Sequence, residues 1–304
     1  MVLPSAKVSL RAPAKINLYL KVTGRREDGY HYLATLMQKI SLFDHLELQR
    51  GGSGLHLCCP DSDLPEDETN LAFRAARIFF DKMGTRVRGS GTGVTITLNK
   101  IIPVAAGLGG GSSDAAAVLR GLDQLFATSC TEDELLNMGA SLGADVPFFV
   151  ADQPVAWATG IGEQLYPAVP LSGYHILIVN PGYSVSTPWV YEKFALTVGQ
   201  NINNLQILQN QDVGRDRPNV FVSRAIRPDE LVNDLEQITS SHYREIEQLK
   251  KRLVQGGAVA AMMSGSGPTV FGLFQADEAK RADDCVQALK KEYRKTFLVD
   301  PLQA

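Results

Sequence analysis

The stretch Pro103-Val104-Ala105-Ala106-Gly107-Leu108-Gly109-Gly110-Gly111-Ser112-Ser113-Asp114-Ala115 decides how this 304-residue chain is read. The strand-like run VTITL at 94–98 leads into it, and an alanine-rich helical pattern through Ala115 to Phe126 leads out. The glycines crowded between Gly107 and Gly111 allow positive φ and close approach of the backbone to a ligand. Ser112 and Ser113 are expected to cap the helix, whose first amides attract anions. Consecutive N–H groups in such a turn make a concave anion nest. The arrangement predicts a cradle for the phosphates of a nucleotide; the alternative is a flexible turn with an ordinary helix cap. Two other phosphate motifs fail. No GxxxxGK[ST] occurs, and the dinucleotide fingerprint breaks at Ser112, where a third glycine is required.

Outward from this loop, the first third of the chain reads as strands at 8–11, 16–22, 33–42, 45–50 and 55–58. A helix is expected after Asn70, with Leu71, Ala75, Ile78 and Phe79 on one face and Gly84 as its stop. Thr131 and Glu134 have capping-box spacing and open another helix that ends near Gly143. Strands follow at 154–159 and 174–180. Pro167, Pro170 and Gly173 punctuate the gap between them and suggest a boundary near 168. Beyond it the pattern gives helices near 187–196, 228–236, 240–254 and 277–292, and strands at 258–263, 269–274 and 296–299. Gln200–Gln211 reads as a polar helix or loop.

Thirty basic residues against 33 acidic give a formal net charge of −3, which removes the global positive field that nucleic-acid binding uses. No apolar run is long enough to suggest a membrane span, and Lys7, Arg11 and Lys15 interrupt any secretory pattern. The four cysteines, Cys58, Cys59, Cys130 and Cys285, form no CxxC pair, which predicts neither a disulfide framework nor a zinc site and points to a reducing, cytoplasmic setting.

Two further residues stand out. Lys15 lies in Ala12-Pro13-Ala14-Lys15-Ile16-Asn17-Leu18, where alternation sets Lys15, Asn17 and Tyr19 opposite Ile16, Leu18 and Leu20. By itself it reads as a solvated strand lysine. Asp145 lies in Leu142-Gly143-Ala144-Asp145-Val146-Pro147-Phe148-Phe149, after a helix end and among apolar residues, where a carboxylate either caps structure or does chemistry.

Taken together, PAKINLYLKVTGRREDGYH at 13–31, GLGGGSSDAA at 107–116, LGADVPFF at 142–149 and SGSGPTVF at 264–271 resemble the GHMP kinase superfamily over nearly the whole chain. The resemblance implies an α+β protein of two two-layer domains, ribosomal-S5-like at the N-terminus (1–168, ATP-binding) and ferredoxin-like at the C-terminus (169–304, substrate), with the active site in the cleft between. It implies transfer of the ATP γ-phosphate to a small alcohol. The DGYH continuation resembles the branch whose acceptor carries a cytidine diphosphate group and serves isoprenoid precursor synthesis. Another small alcohol, or a nucleotide-binding regulator without chemistry, remains the alternative.

Carried over by motif, Asp145 is the base and Lys15 its partner, and Pro103 to Ser113 hold ATP. Magnesium is expected with the nucleotide; no dedicated carboxylate ligand is evident, Ser112 or Ser113 being candidates ahead of Asp114. Asn17, Tyr30, His31, Thr187, Tyr191 (with Trp189 as second choice) and the turn Gly265-Ser266-Gly267 are implied on the acceptor side. Ala105-Ala106 stands where relatives carry an additional glycine, which predicts a limit on positive φ just before Gly107. The chain is expected to work as a monomer or homodimer.

Overall fold

The computed structural model describes residues 6–87, 93–199 and 223–303; Gln200–Gln211 lies outside them. In chain order the elements are β1 (Lys7–Arg25), β2 (His31–Arg50), β3 (Leu55–Cys58), α1 (Leu71–Met83), β4 (Val94–Asn99), α2 (Gly110–Phe126), α3 (Glu132–Leu142) and α4 (Val146–Val150). There follow β5 (Val155–Thr159), β6 (Gln164–Pro167), β7 (Tyr174–Asn180), α5 (Thr187–Gly199) and β8 (Val232–Asn233). The chain closes with α6 (Glu236–His242), α7 (Glu245–Gln255), β9 (Ala260–Met263), β10 (Val270–Gln275), α8 (Ala279–Lys290) and β11 (Lys295–Val299).

The chain forms two compact units. The first takes 1–14, 42–102 and 109–152; the second takes 15–41, 103–108 and 153–304. Residue 168 falls inside the second, between β6 and β7. β1 and β2 each run through both units, which is why four of the strands expected from sequence are two long ones. The expected breaks were at Pro13 and around Asp44, residues that strands disfavour. Pro13 is tolerated because in the first unit β1 is the last strand of the order β3-β4-β2-β1. Asp44 is tolerated because its carboxylate accepts from the amides of Ile101 at 2.6 Å and Ile102 at 2.9 Å.

In the first unit β4 pairs antiparallel with β2, Leu46 opposite Leu98 and Leu48 opposite Ile96, and parallel with β3. These leucines and isoleucines are buried together with Phe79 of α1 and Leu119 and Leu122 of α2. α3 begins with the expected capping box: Thr131 Oγ1 accepts from the Glu134 amide and the Glu134 carboxylate accepts from the Thr131 amide.

In the second unit the first half of β2 pairs with β5, which pairs with β6, and β8 adds two parallel residues beside Tyr19 and Leu20 of β1. A separate antiparallel sheet has the order β11-β7-β10-β9. α7 packs Ile246, Leu249 and Leu253 into a core with Leu177, Val179, Val270 and Phe274. Each fully buried aliphatic side chain there contributes roughly 1.5–3 kcal/mol. Two sequence expectations differ here. The helix expected at 228–236 is a short 3-10 turn, Pro228–Glu230, followed by β8. The helix expected at 240–254 is two helices, α6 and α7, meeting at Tyr243 and Arg244.

Candidate functional site

The phosphate-loop stretch belongs to both units, Pro103–Leu108 to the second and Gly109 onward to the first. α2 starts earlier than the serines suggest. Its N-cap is Gly109, at φ 70°, and Gly110 is already helical. Ser112 and Ser113 therefore do not cap the helix but sit in its first turn, because a left-handed glycine turns the chain directly into the helix. The Ser113 amide donates to the Gly109 carbonyl at 2.9 Å, which leaves the amides of Gly110, Gly111 and Ser112 as the helix's unpaired first donors. No acidic residue lies in that first turn. Ser113 Oγ is buried with no hydrogen-bond partner. Such a cluster of donors and an orphaned hydroxyl fits phosphate oxygens or a phosphate-bound cation.

Gly107 is also left-handed, φ 77°, and a Cβ there would stand 2.1 Å from the Ser264 carbonyl oxygen. Ala105 adopts φ 50° despite its Cβ. The expected limit on positive φ is thus overcome, at a strain of about 1–2 kcal/mol. Ala106 and Leu108 are buried, whereas Val104 is exposed.

Beneath the start of α2, in the first unit, Lys100 is buried between two carboxylates. Its ammonium donates to Asp44 and, at 2.7 Å, to Asp114. Burial works against the Lys100 charge, but the Asp114 and Asp44 charges outweigh it and raise its pKa. Burial, ahead of the opposing Lys100 charge, pushes the Asp114 carboxyl up to about 7. Asp114 is therefore a structural partner of Lys100, although its second oxygen is buried without a hydrogen bond. Among the described residues no group of three or more His, Cys, Asp or Glu side chains could hold a metal ion. A magnesium ion here would be held through phosphates, water and a hydroxyl such as that of Ser113.

Lys15 is not solvated. It is 5% exposed, its amide donates to the Leu108 carbonyl at 2.9 Å, and its ammonium donates to Asn17 Oδ1 at 2.6 Å. β1 is covered on both faces at this point, so both sides of the alternation are buried. Asn17 Nδ2 donates to Thr35 Oγ1 at 2.9 Å, which donates to the Tyr19 carbonyl at 2.7 Å. Asn17 thus orients Lys15 through a fixed amide. Ser264 Oγ donates to the Gly107 carbonyl at 2.9 Å, tying the SGSGP turn to the phosphate loop within the second unit.

Asp145, in the first unit, occupies the N-cap position of α4 but makes no capping bond to it. Val146, Phe148 and Phe149 are buried and Pro147 fits the first helical turn, so α4 is anchored while the carboxylate stays half-buried. The Asp145 side chain is therefore not the cap of α4.

On the acceptor side, the His31 and Tyr191 rings stack at 5.2 Å and 23°, and Phe194 meets His31 edge-on at 6.4 Å. Trp189 packs instead on His242 and Tyr243, so of Trp189 and Tyr191 it is Tyr191 that lies at His31. Burial, then the charge of Arg25, lowers the His31 pKa, which keeps the ring neutral near pH 7. Tyr30 is 61% exposed. Thr187 Oγ1 lies 2.8 Å from Ser266 Oγ, and Gly265 and Gly267 take φ of 57° and 83°. Sequence reasoning missed Phe194, whose signal was its spacing three residues after Tyr191 on one helix. It also missed Thr35 and Lys100, which act through partners far away in sequence.

The description "GHMP kinases N terminal domain" matches residues 70–153, and "GHMP kinases C terminal" matches 222–295. The chain is 45% identical over 298 residues to a protein of Desulfotalea psychrophila named 4-diphosphocytidyl-2-C-methyl-D-erythritol kinase, covering 97% of this chain and 95% of that one. It is 45% identical over 277 residues to the protein of that name from Syntrophus aciditrophicus, covering 91% and 93%. A crystal structure titled 4-(cytidine 5'-diphospho)-2C-methyl-D-erythritol kinase superposes with a TM-score of 0.76 at 34% identity, covering 96% of this chain and 98% of that one. The L. major mevalonate kinase, at 17% identity and a TM-score of 0.68, shares the fold. With both GHMP domains matched and relatives this similar along nearly its whole length, the chain belongs to the GHMP kinase family, among the ATP-dependent kinases that carry that cytidyl-methylerythritol name.

Proposed function

We propose that this kinase transfers the γ-phosphate of ATP to the C2 hydroxyl of 4-diphosphocytidyl-2-C-methyl-D-erythritol, in the non-mevalonate route to isoprenoid precursors. The hydroxyl oxygen bonds to the γ-phosphorus, the bond from that phosphorus to the β–γ bridging oxygen breaks, and ADP leaves. Asp145 accepts the hydroxyl proton as the new bond forms. Lys15, held by Asn17, offsets the charge that develops on the phosphoryl oxygens. The segment Pro103–Ser113 holds the ATP phosphates through the amides of Gly110, Gly111 and Ser112 and the Ser113 hydroxyl. The Ser113 hydroxyl would help to hold a magnesium ion bound with the nucleotide, which would supply charge neutralisation of the phosphates. In this reading 1–168 serves the nucleotide and 169–304 the acceptor, with Asn17, Tyr30 and His31 supplied to the acceptor by the N-terminal part.

The observation that carries the acceptor class is the neutral His31 ring stacked on Tyr191 in the same unit as Lys15. A neutral imidazole offers one donor and one acceptor to a cytosine edge, and aromatic faces stack on a base. Thr187 and the turn Gly265-Ser266-Gly267 supply polar groups for the acceptor's diphosphate. No described helix is long and apolar enough to cross a membrane.

The test is ADP release with ATP and a panel of alcohols: the cytidine diphosphate acceptor, methylerythritol without the nucleotide, mevalonate and homoserine. Turnover confined to the cytidine acceptor supports the reading. Preference for mevalonate or homoserine overturns it, and nucleotide binding without turnover of any alcohol points to a regulator instead.

A further inference from the structure

The segment Asn233-Asp234-Leu235-Glu236 lies outside every motif used above, and its side chains grip two parts of the second unit at once. One amide group, Asn233 Nδ2, donates to the carbonyls of both Met263 and Gly265 at 2.8 Å. Asn233 Oδ1 accepts from the Leu235 amide at 3.0 Å, which fixes which end of the side chain faces the turn. Asp234 bonds β1 twice: its amide donates to the Leu20 carbonyl at 3.0 Å and its carboxylate accepts from the Val22 amide at 2.9 Å. Glu236 accepts from the Met263 amide at 2.7 Å while paired with Lys250. Thr239 Oγ1 donates to the Ser266 carbonyl at 3.2 Å.

The consequence lies in the peptide planes. In a trans peptide the carbonyl and the following N–H point in opposite directions. Drawing the Gly265 carbonyl onto Asn233 therefore aims the Ser266 N–H away from β8. Drawing the Ser266 carbonyl onto Thr239 aims the Gly267 N–H, which donates to the Ser264 carbonyl at 3.0 Å and closes the turn. Among the described residues the Ser266 N–H has no hydrogen-bond partner, and it sits in a turn whose Ser264 and Ser266 side chains bind Gly107 and Thr187. An oriented, unpaired backbone N–H at a glycine turn is an anion donor.

We propose that Asn233 is a positioning residue for phosphoryl transfer: by clamping the Met263 and Gly265 carbonyls it aims the Ser266 N–H at a phosphate oxygen of the bound substrates. Asp234 holds the clamp against β1 at Leu20 and Val22, three and five residues beyond Asn17, so the turn and the Lys15-bearing strand keep one register. The inference rests on the reading of the chain as a kinase. Its contribution is electrostatic aim rather than proton transfer, so Asn233 itself touches no substrate.

The experiment uses the full chain and the variants Asn233→Ala and Asn233→Asp. Hydrogen exchange of the 263–268 segment tests the clamp without activity, and both variants should exchange there faster than wild type while the sheet β11-β7-β10-β9 keeps its protection. With ATP and the cytidine acceptor, Asn233→Ala should lose about tenfold to a hundredfold in kcat. Asn233→Asp supplies a readout that a merely structural role would not move. Its ionised carboxylate repels both carbonyls, which raises its pKa, and protonation restores one donor. Its kcat relative to wild type should therefore rise as pH falls from about 8.5 to about 6, while the ratio for Asn233→Ala stays flat. Wild-type exchange in the segment, kcat within twofold for Asn233→Ala, or a flat ratio for Asn233→Asp overturns the proposal. Faster exchange in the variants alongside a wild type that phosphorylates no alcohol would instead sink the kinase reading and leave the clamp standing.

Discussion

The ammonium of Lys100 lies 2.7 Å from Asp114 and also donates to Asp44, with all three side chains almost fully removed from solvent. Asp44 in turn holds the Ile101 and Ile102 amides, one step before Pro103, and Asp114 lies one residue after Ser113. One cation therefore ties the entrance of the phosphate loop to its exit. A buried pair of carboxylates without its cation carries uncompensated charge.

Lys100→Met should accordingly destabilise the protein by about 3–5 kcal/mol. Urea unfolding at neutral pH measures it. A loss below about 1 kcal/mol would mean that the cluster is solvated and does not brace the loop.

The same cluster gives a pH signature. Burial lifts Asp114 to about 7, so the folded protein holds that proton more tightly than the unfolded chain, where an aspartate titrates near 4. The associated stability is full below about 4 and is lost as pH rises through about 7. Wild-type stability relative to Asp114→Asn should fall across that window and level off above it. Urea midpoints for the two proteins at a series of pH values test this, and parallel curves would show that Asp114 stays ionised throughout.

The two left-handed glycines of the loop should fail differently. Gly109→Val places a β-branched residue at φ 70° beside the donors of α2, so ATP binding should weaken more than acceptor binding. Gly107→Ala drives a Cβ to 2.1 Å from the Ser264 carbonyl oxygen, which disturbs the SGSGP turn as well, so both ligands should weaken. Calorimetry with each ligand separately distinguishes the pair; equal losses in Gly109→Val would indicate a folding defect.

These contrasts mark what the sequence could show. The loop was legible because its chemistry is local: a strand, a run of glycines and a helix, all within Pro103–Ala115. The capping box at Thr131 was legible for the same reason. The burial of Lys15 was not, since alternation along β1 says nothing about a second covered face. Asp44 looked like a strand break because its partners Lys100, Ile101 and Ile102 are more than fifty residues away. Asn233 lay within an apparent helix, and only the approach of Met263 and Gly265 gives its amide a purpose. Reading Ser112 and Ser113 as caps followed the usual preference, which Gly109 overrode by reaching φ 70°.

Asp145→Asn should keep the fold and lose turnover. The carboxylate makes no capping bond to α4, whose anchors are Val146, Phe148 and Phe149, so the amide isostere leaves that packing intact. It cannot accept the hydroxyl proton, and a general base contributes about 10²–10⁴-fold. Single-turnover phosphorylation of the cytidine acceptor, with a matched melting temperature, is the measurement. Near-normal turnover would remove Asp145 from the base role.

In the proposed reaction acceptor selection has to come from the end remote from the chemistry, because the roles proposed for Asp145 and Lys15 involve only a hydroxyl and a phosphoryl group and would treat every alcohol alike. His31, stacked on Tyr191 and edged by Phe194, combines an aromatic ring with a directional donor and acceptor. Tyr30, its neighbour in sequence, is exposed and offers a second ring to the proposed base. One lost base-stacking contact is worth roughly 1–3 kcal/mol, or about 5- to 150-fold in affinity. Tyr30→Ala, His31→Ala and Tyr191→Ala should therefore raise KM for the cytidine acceptor within that range and leave KM for ATP within about threefold, whereas Tyr191→Phe, which keeps the ring, should stay close to wild type. Because burial lowers the His31 pKa, the acceptor KM should be flat near neutral pH and climb only in acid, as the ring gains a proton and loses its acceptor nitrogen. If these variants weaken ATP and spare the acceptor, the His31–Tyr191 stack belongs to the nucleotide and the cytidine reading of this kinase fails.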